Sequence, residues 1–261
     1  VSLKKYVTSL ILMFTVLFVE GQELKLSGIY QGDNLYVMNP FAANGVGFCI
    51  QEVRVNNKLS TDEIGSSAFE IDLSQYNFKI GDPVSIVIKH KSNCQPKVLN
   101  PNVIQTKSTF KVSKIEVGKD KVLRWSTTDE SGALDFVVEQ YRWNKWVKLG
   151  KVKGLGGNKP NQYTFNVSPH SGQNKFRVKQ IDYSKKPRYS PDATFNSLSP
   201  FVSFKISKTE IVFSMPTMYE VYDGYGNVVL VGNGTNADIS KLKVGEYFLN
   251  YDNKMETFKK K

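Results

Sequence analysis

Apolar and polar residues alternate in short runs along most of the chain. Clusters of Gly, Asn, Pro and Ser break the runs at intervals of roughly ten residues, which is the rhythm of an antiparallel β-sandwich. It is plainest between Lys121 and Ser190. Side chains alternate with period two along a strand, so Leu123 and Trp125 share one face. Phe136, Val138 and Gln140 likewise oppose Val137, Glu139 and Tyr141. A third run begins at Trp146, Val147 and Leu149 after a turn through Trp143, Asn144 and Lys145. Tyr163, Phe165 and Val167 mark a fourth, and Phe176, Val178, Gln180 and Asp182 a fifth.

The same pattern extends to both sides. Between Gln22 and Ile104 five runs are alternating or continuously β-branched, and turn signals such as Gly32-Asp33-Asn34 and Gly81-Asp82-Pro83 flank them. Val53-Arg54-Val55 followed by Asn56-Asn57 is a hairpin cue, because Asn tolerates the left-handed conformation that tight hairpin turns need. Stretches poor in large apolar residues at 99–102 and 105–109 read as a linker with a boundary near residue 106, and a second boundary falls in 191–200. The expected fold class is all-β: tandem antiparallel sandwiches over 22–106, 107–198 and 199–261, after an N-terminal signal peptide at 1–21. The signal reading rests on the basic pair Lys4 and Lys5, the apolar run from Leu10 to Val19 and the small or branched residues before Gln22. A buried strand or helix, or a retained membrane anchor, is the alternative for that segment.

The middle block, about 107–195, resembles a fibronectin type III module of the kind found in surface proteins of Bacteroidota. The resemblance is carried by Leu123 and Trp125, Val138 and Glu139, Trp146, Gly150, Gly154, Tyr163 and Phe165, then Arg177, Gln180, Asp182, Tyr183, Tyr189 and Ser190. It implies a sandwich and no particular function. The tail, about 201–261, resembles the type A C-terminal sorting domain of the type IX (Por) secretion system. Its matching positions are Tyr222, Asp223, Gly226, Asp238, Ser240, Leu242, Gly245, Tyr247 and the closing Lys259, Lys260 and Lys261. The family's Pro-Asn-Pro-like opening is missing from 199–208. By that resemblance the tail is an address read by an outer-membrane translocon.

Export changes how the cysteines read. Cys49 and Cys94 are the chain's two cysteines, and in an oxidising compartment an even pair is most simply a disulfide, with two free thiols as the alternative. No metal site or cofactor is expected, since neither cysteine has the further His or Cys ligands that zinc requires. No catalytic residue stands out. The two histidines, His90 and His170, read as solvated polar residues, and there is no Gly-x-Ser-x-Gly nucleophile turn. Asp129 and Glu130 are neighbours on a loop, which is not the facing arrangement of a glycosidase pair. The Gly154-Leu155-Gly156-Gly157 loop leads into a strand pattern, whereas a phosphate loop leads into a helix.

The formal net charge is +11, or +10 without Lys4, Lys5 and Glu20 of the leader. Such an excess attracts polyanions, which in an exported protein means acidic glycans or lipopolysaccharide; nucleic acid is not an expected partner. Tyr141, Trp143 and Trp146 bracket a turn and form a candidate interaction surface if exposed, since such rings are favoured at interfaces. The competing reading packs Trp146 into the core and lays Trp143 over the edge. The expected function is non-enzymatic: an exported structural or adhesive protein of the cell surface, directed by its tail and touching envelope proteins, type IX secretion components among them. The alternative is a periplasmic or outer-membrane-associated accessory subunit that keeps its tail. No later segment is apolar enough to cross a membrane.

Overall fold

The computed structural model describes residues 22–43, 45–157 and 159–261, and among them the chain is all-β, with two short 3-10 turns as its only helical elements. The expected leader at 1–21 lies outside the described residues. No helix among them is long and apolar enough to cross a membrane. The chain divides into two compact units. The described residues of the first are 22–28, 32–78 and 84–103, and the second contains everything from Ile104 to Lys261.

The first unit is built on β1 (Gln22–Ile29), β2 (Leu35–Met38), β3 (Ile50–Val55), β4 (Lys58–Leu59), β5 (Ala68–Ile71), β6 (Pro83–His90) and β7 (Lys97–Val98). Strands run in the order β1-β6-β3-β4 in one sheet and β5-β2-β7 in the other. Their inward positions are Leu35 and Val37, Val53 and Val55, Phe69 and Ile71, and Ile86 and Ile88, all buried at every second residue as the alternation requires. Asn56 and Asn57 both take positive φ, 46° and 67°, and close the β3–β4 hairpin. Cys49 and Cys94 are joined by a disulfide, their Cα atoms 5.8 Å apart.

The second unit holds two hydrophobic cores. The first lies between a three-stranded sheet and a larger one. The smaller sheet, ordered β12-β9-β8, comprises β8 (Lys111–Val117), β9 (Val122–Thr128) and β12 (Asn161–Asn166). In the larger, β10 (Phe136–Arg142) lies between β11 (Lys145–Val152) and β13 (Gly172–Ile181), and β14 (Pro187–Tyr189) and β15 (Ala193–Ser197) pair along β13. That strand order is a fibronectin type III-like sandwich. Its core is Phe110, Leu123, Trp125, Phe136, Val138, Tyr163, Phe176 and Val178 with their neighbours. Trp125 stacks on Tyr163 and meets Phe136 edge-on, at centroid distances of 5.2 and 5.7 Å. Within the expected boundary stretch at 191–200, β15 occupies 193–197, where Ala193 and Ser197 turn inward beside β13.

The last core is enclosed by one five-stranded sheet: β16 (Phe204–Ile206), β17 (Glu210–Tyr222), β18 (Val228–Asp238), β19 (Gly245–Tyr251) and β20 (Lys254–Lys260). The 13-residue β17 is its spine, pairing with β18 along one edge and with β16 and then β19 along the other. Between Val212 and Thr217 its register against β18 skips, from Asn236 to Gly234, and such an irregularity bends a strand. Ile211 and Phe213 before the bend and Tyr219 and Val221 after it then share a core with Leu249, Tyr251 and Phe258.

Replacing Cys49 and Cys94 by Ser, each closing partner of a loop 45 residues long, removes about 4 kcal/mol in the chain-entropy account. Urea unfolding of this double variant is expected to show an earlier transition for the first unit and an unmoved one for the second.

Candidate interaction surface and the seam behind it

The β10–β11 hairpin decides where the expected aromatic surface lies. Both residues of its turn, Trp143 and Asn144, have positive φ, 53° and 58°, the mark of a type I′ turn. Asn accepts that conformation readily; Trp does not, and a bulky side chain held there costs about 1–3 kcal/mol. Burial works against that cost, the indole being only 6% exposed and full burial of a large apolar side chain returning about 1.5–3 kcal/mol, but the buried indole N–H has no hydrogen-bond partner. Trp143 lines a crevice with Asn253 and Met255 of the β19–β20 hairpin. The Arg142 guanidinium and Lys145 ammonium lie 5.3 and 5.9 Å from its ring centroid.

Lys145 extends the same contact. Its Nζ donates to Glu220 Oε2 at 2.7 Å and to the Tyr222 hydroxyl at 2.8 Å, both on β17. Burial works against its charge, yet the Glu220 carboxylate and Tyr222 hydroxyl hold its pKa above the ordinary value.

Behind the hairpin runs a continuous buried polar network. Arg142 Nη2 donates to Gln140 Oε1 at 2.5 Å and to the Ser168 carbonyl at 3.2 Å. Gln140 Nε2 donates to Asn174 Oδ1 at 2.7 Å, and Asn174 Nδ2 donates to the carbonyls of His170 and Gly172 at 2.9 Å each. The next residue, Ser171, gives its amide to Asp252 Oδ1 at 2.8 Å and its hydroxyl to Asp252 Oδ2. Val202 N reaches the same Oδ2 at 3.4 Å, and the Asp252 amide donates to Thr217 Oγ1 at 2.9 Å. One carboxylate on the β19–β20 turn thus ties a loop of the fibronectin-like sandwich to the terminal sheet. Arg142, buried against water, has its pKa pushed down to about 10, with Asp252 and Glu220 partly restoring it. It keeps its charge at neutral pH.

Both histidines are buried, not solvated. His90 Nδ1 lies 2.9 Å from the Lys91 carbonyl and His170 Nδ1 2.7 Å from the Ser171 carbonyl, so in each ring this nitrogen is the donor. Burial lowers the His170 pKa, a nearby Arg142 adding to the effect, so its ring is neutral at pH 7. The reason is local: a ring satisfied by the carbonyl of the next residue needs no water. A cleft of 340 Å³ opens beside the network, lined among others by Lys121, Arg142, His170, Met215 and Asp252. The one carboxylate in that lining is Asp252, already committed to Ser171 and Val202.

Tyr141 and Trp146, by contrast, come together on the outer face of the large sheet. Their rings meet edge-on at 5.4 Å. Arg177 lies between Trp146 and Tyr189, 4.0 and 3.9 Å from the two centroids, and donates through Nε to Glu139 Oε2 at 2.9 Å. Tyr141 and Tyr189 remain exposed at the ends of this ladder and Trp146 is half-buried. Trp143, whose exposure the expected surface required, is buried, while Tyr141 is exposed and Trp146 half-buried. Beside them lie Arg177, directly opposite Glu139 in register, and Tyr189, opposite Lys179, neighbours that the sequence alone did not reveal.

The other singled-out residues have structural places. Glu130 is buried and accepts from Thr127, from the Tyr163 hydroxyl at 2.8 and 2.9 Å and from the Gly156 amide at 3.0 Å. Burial first, and this carboxylate with it, raises the Tyr163 pKa to about 12. The glycine loop is thus pinned by a carboxylate. In the tail, Tyr222 ends β17, and Asp223 accepts from the Tyr225 and Asn227 amides at 2.9 Å in the turn where Gly226 takes φ 82°. The Asn227 side chain, first among these donors, helps hold the Asp223 carboxyl below its ordinary range. Asp238 accepts from the Ser240 amide at 2.8 Å, and Leu242 packs on the core. Gly245 and Tyr247 lie on β19, Tyr247 stacking on Phe258 at 5.5 Å. Lys259 and Lys260 belong to β20, Lys260 Nζ donating to the Lys208 carbonyl, and Lys261 follows them.

No family model and no curated protein matches this chain. Solved structures similar to it include a tetra-tandem repeat from the extending region of a large adhesion protein, at 12% identity, covering 92% of this chain and 73% of that one, with a TM-score of 0.34. Others are the FN1–FN3 domains of chicken CNTN1 (13% identity, 94% and 96% covered, TM-score 0.23) and the BSP domain of a biofilm-associated protein (11%, 92% and 63%, 0.21). At these scores the fold assignment rests on the strand order given above.

Asp252→Ala leaves two backbone amides and a hydroxyl in the seam without their acceptor. The expected loss is about 3 kcal/mol, read from denaturant midpoints, together with faster amide exchange at Ser171. Unchanged exchange there would show that the carboxylate does not hold the seam.

Proposed function

We propose that this chain is a non-enzymatic exported protein of the cell envelope or surface whose work is structural or adhesive. The observation that carries the reading is the buried network from Arg142 to Asp252, which makes the last two sandwiches one body and leaves the Tyr141–Trp146–Arg177–Tyr189 ladder facing outward. Flat rings with a stacked guanidinium suit the sugar faces and acidic groups of envelope glycans and lipopolysaccharide, or the surface of an envelope protein. The positive charge of the chain adds long-range attraction to such partners.

The tail takes part in this reading in two ways. Its resemblance to a type IX sorting domain supports delivery to the surface by that route. The seam favours a second reading in which the tail stays attached, as in a periplasmic or outer-membrane-associated accessory subunit. Cutting near residue 200 would uncover Trp143 and strand Arg142, both buried in the intact chain.

Two measurements test this. Intact mass of the protein purified from its native envelope is expected to include Lys261; loss of 199–261 would overturn the retained-tail reading. Tyr141→Ala with Tyr189→Ala is expected to weaken binding to immobilised lipopolysaccharide or envelope fractions at least tenfold while leaving the circular dichroism spectrum unchanged. Equal binding by this variant would remove the ladder as the contact face.

A further inference from the structure

The terminal sheet has one edge unlike the others of its unit. Strand β18 runs for 11 residues, pairs with β17 on one side, and meets no strand on its other side among the described residues. A free edge is a row of unpaired amides and carbonyls, and proteins usually blunt it with charge, especially lysine. The other long edges follow that rule: β8 carries Lys111 and Lys114, β11 carries Lys145, Lys148 and Lys151, and β20 carries Lys254, Lys259 and Lys260. From Val228 to Ala237 β18 has no charged residue and no proline. Its first half exposes Val228, Val229 and Val231, the last 60% exposed, and its second half exposes the uncharged Asn233, Thr235 and Asn236 before Asp238 ends the strand. The uncharged edge β12 is shorter, and its exposed positions are Gln162, Thr164 and Asn166.

We infer that β18 is a strand-pairing surface and that its occupant is β18 of a second copy of this chain, the two running antiparallel about a two-fold axis. Two observations select the second copy. A two-fold axis sets each residue against a residue of the same strand. Self-pairing of β11 would gather the Lys145, Lys148 and Lys151 of both copies on one seam, whereas at β18, with Val231 on the axis, it brings no like charges together. The side chains are also self-complementary. With Val231 on the axis, Leu230 opposes Gly232 and Val228 opposes Gly234, so branched residues of one copy fall beside glycines of the other. The hydroxyl end of Tyr219 occupies the space a side chain at Gly232 would need, so that position stays a glycine. Pairing through backbone hydrogen bonds, with specificity from alternate side chains, is an established recognition mode of free edges. The inference goes beyond the envelope reading and does not depend on it.

The test is sedimentation of the full chain from micromolar to near-millimolar concentration. Wild type is expected to show a monomer–dimer equilibrium, Val231→Lys to weaken dimerisation at least tenfold, and Tyr225→Lys, on the exposed turn beyond the edge, to match wild type. In Val231→Cys the new thiol is the only free one, since Cys49 and Cys94 are paired; mild oxidation is expected to yield a covalent dimer. A monomeric wild type at every concentration would overturn the proposal. So would dimers that persist in Val231→Lys, or a Val231→Cys variant that stays unlinked; a wild-type monomer that takes up an added apolar strand peptide would assign the edge to a foreign strand instead.

Discussion

A single buried carboxylate decides how the second half of this protein behaves. Asp252 sits at a hairpin turn in the left-handed region, φ 47°, and is almost fully removed from water. An ionised group so placed is costly unless its lone pairs are filled. Here the filling donors come from two sources, Ser171 of the fibronectin-like sandwich and Val202 of the strand leading into the terminal sheet. Ser171 fills both oxygens and Val202 adds a longer contact, so opening the seam would leave the buried carboxylate without its Ser171 donors. Arg142, Gln140 and Asn174 carry the network into the fibronectin-like module, each buried and each bonded to the next, with the Arg142 Nε left without a partner.

The Trp143–Asn144 turn makes the same point from the backbone side. A tryptophan at positive φ is an unfavourable choice for an isolated hairpin. Here the indole is buried in a crevice that Asn253 and Met255 help to line. Burial against one module thus works against local strain in another. With Trp143 turned into the seam, Trp146 and Tyr189 flank Arg177, and Tyr141 meets Trp146 edge-on while also lining the crevice that Trp143 occupies.

Strand pairing and the inward faces were legible because alternation is a local property. Leu123 with Trp125, and Phe136 with Val138 and Gln140, fall on the core side as their spacing requires, and Asn56-Asn57 makes its hairpin. The cysteine pair was legible from number and compartment. The seam was not, because it joins Trp143 and Lys145 to residues 75 or more positions away, and nothing in an Asp-Asn turn distinguishes a buried carboxylate from an exposed one. The histidines were misread for a related reason: a ring satisfied by the neighbouring carbonyl looks, in sequence, like any polar residue at a turn. Likewise the Glu130 clamp on the glycine loop needs a partner 26 residues away.

The central claim is that residues 107–261 tumble as one body. Residual dipolar couplings of the full chain, measured in one alignment medium for strands β8 to β15 and for β16 to β20, test it most directly. One alignment tensor should fit both sets. Two tensors of different magnitude or orientation would mean that the sandwiches move independently and that the buried network does not join them in solution.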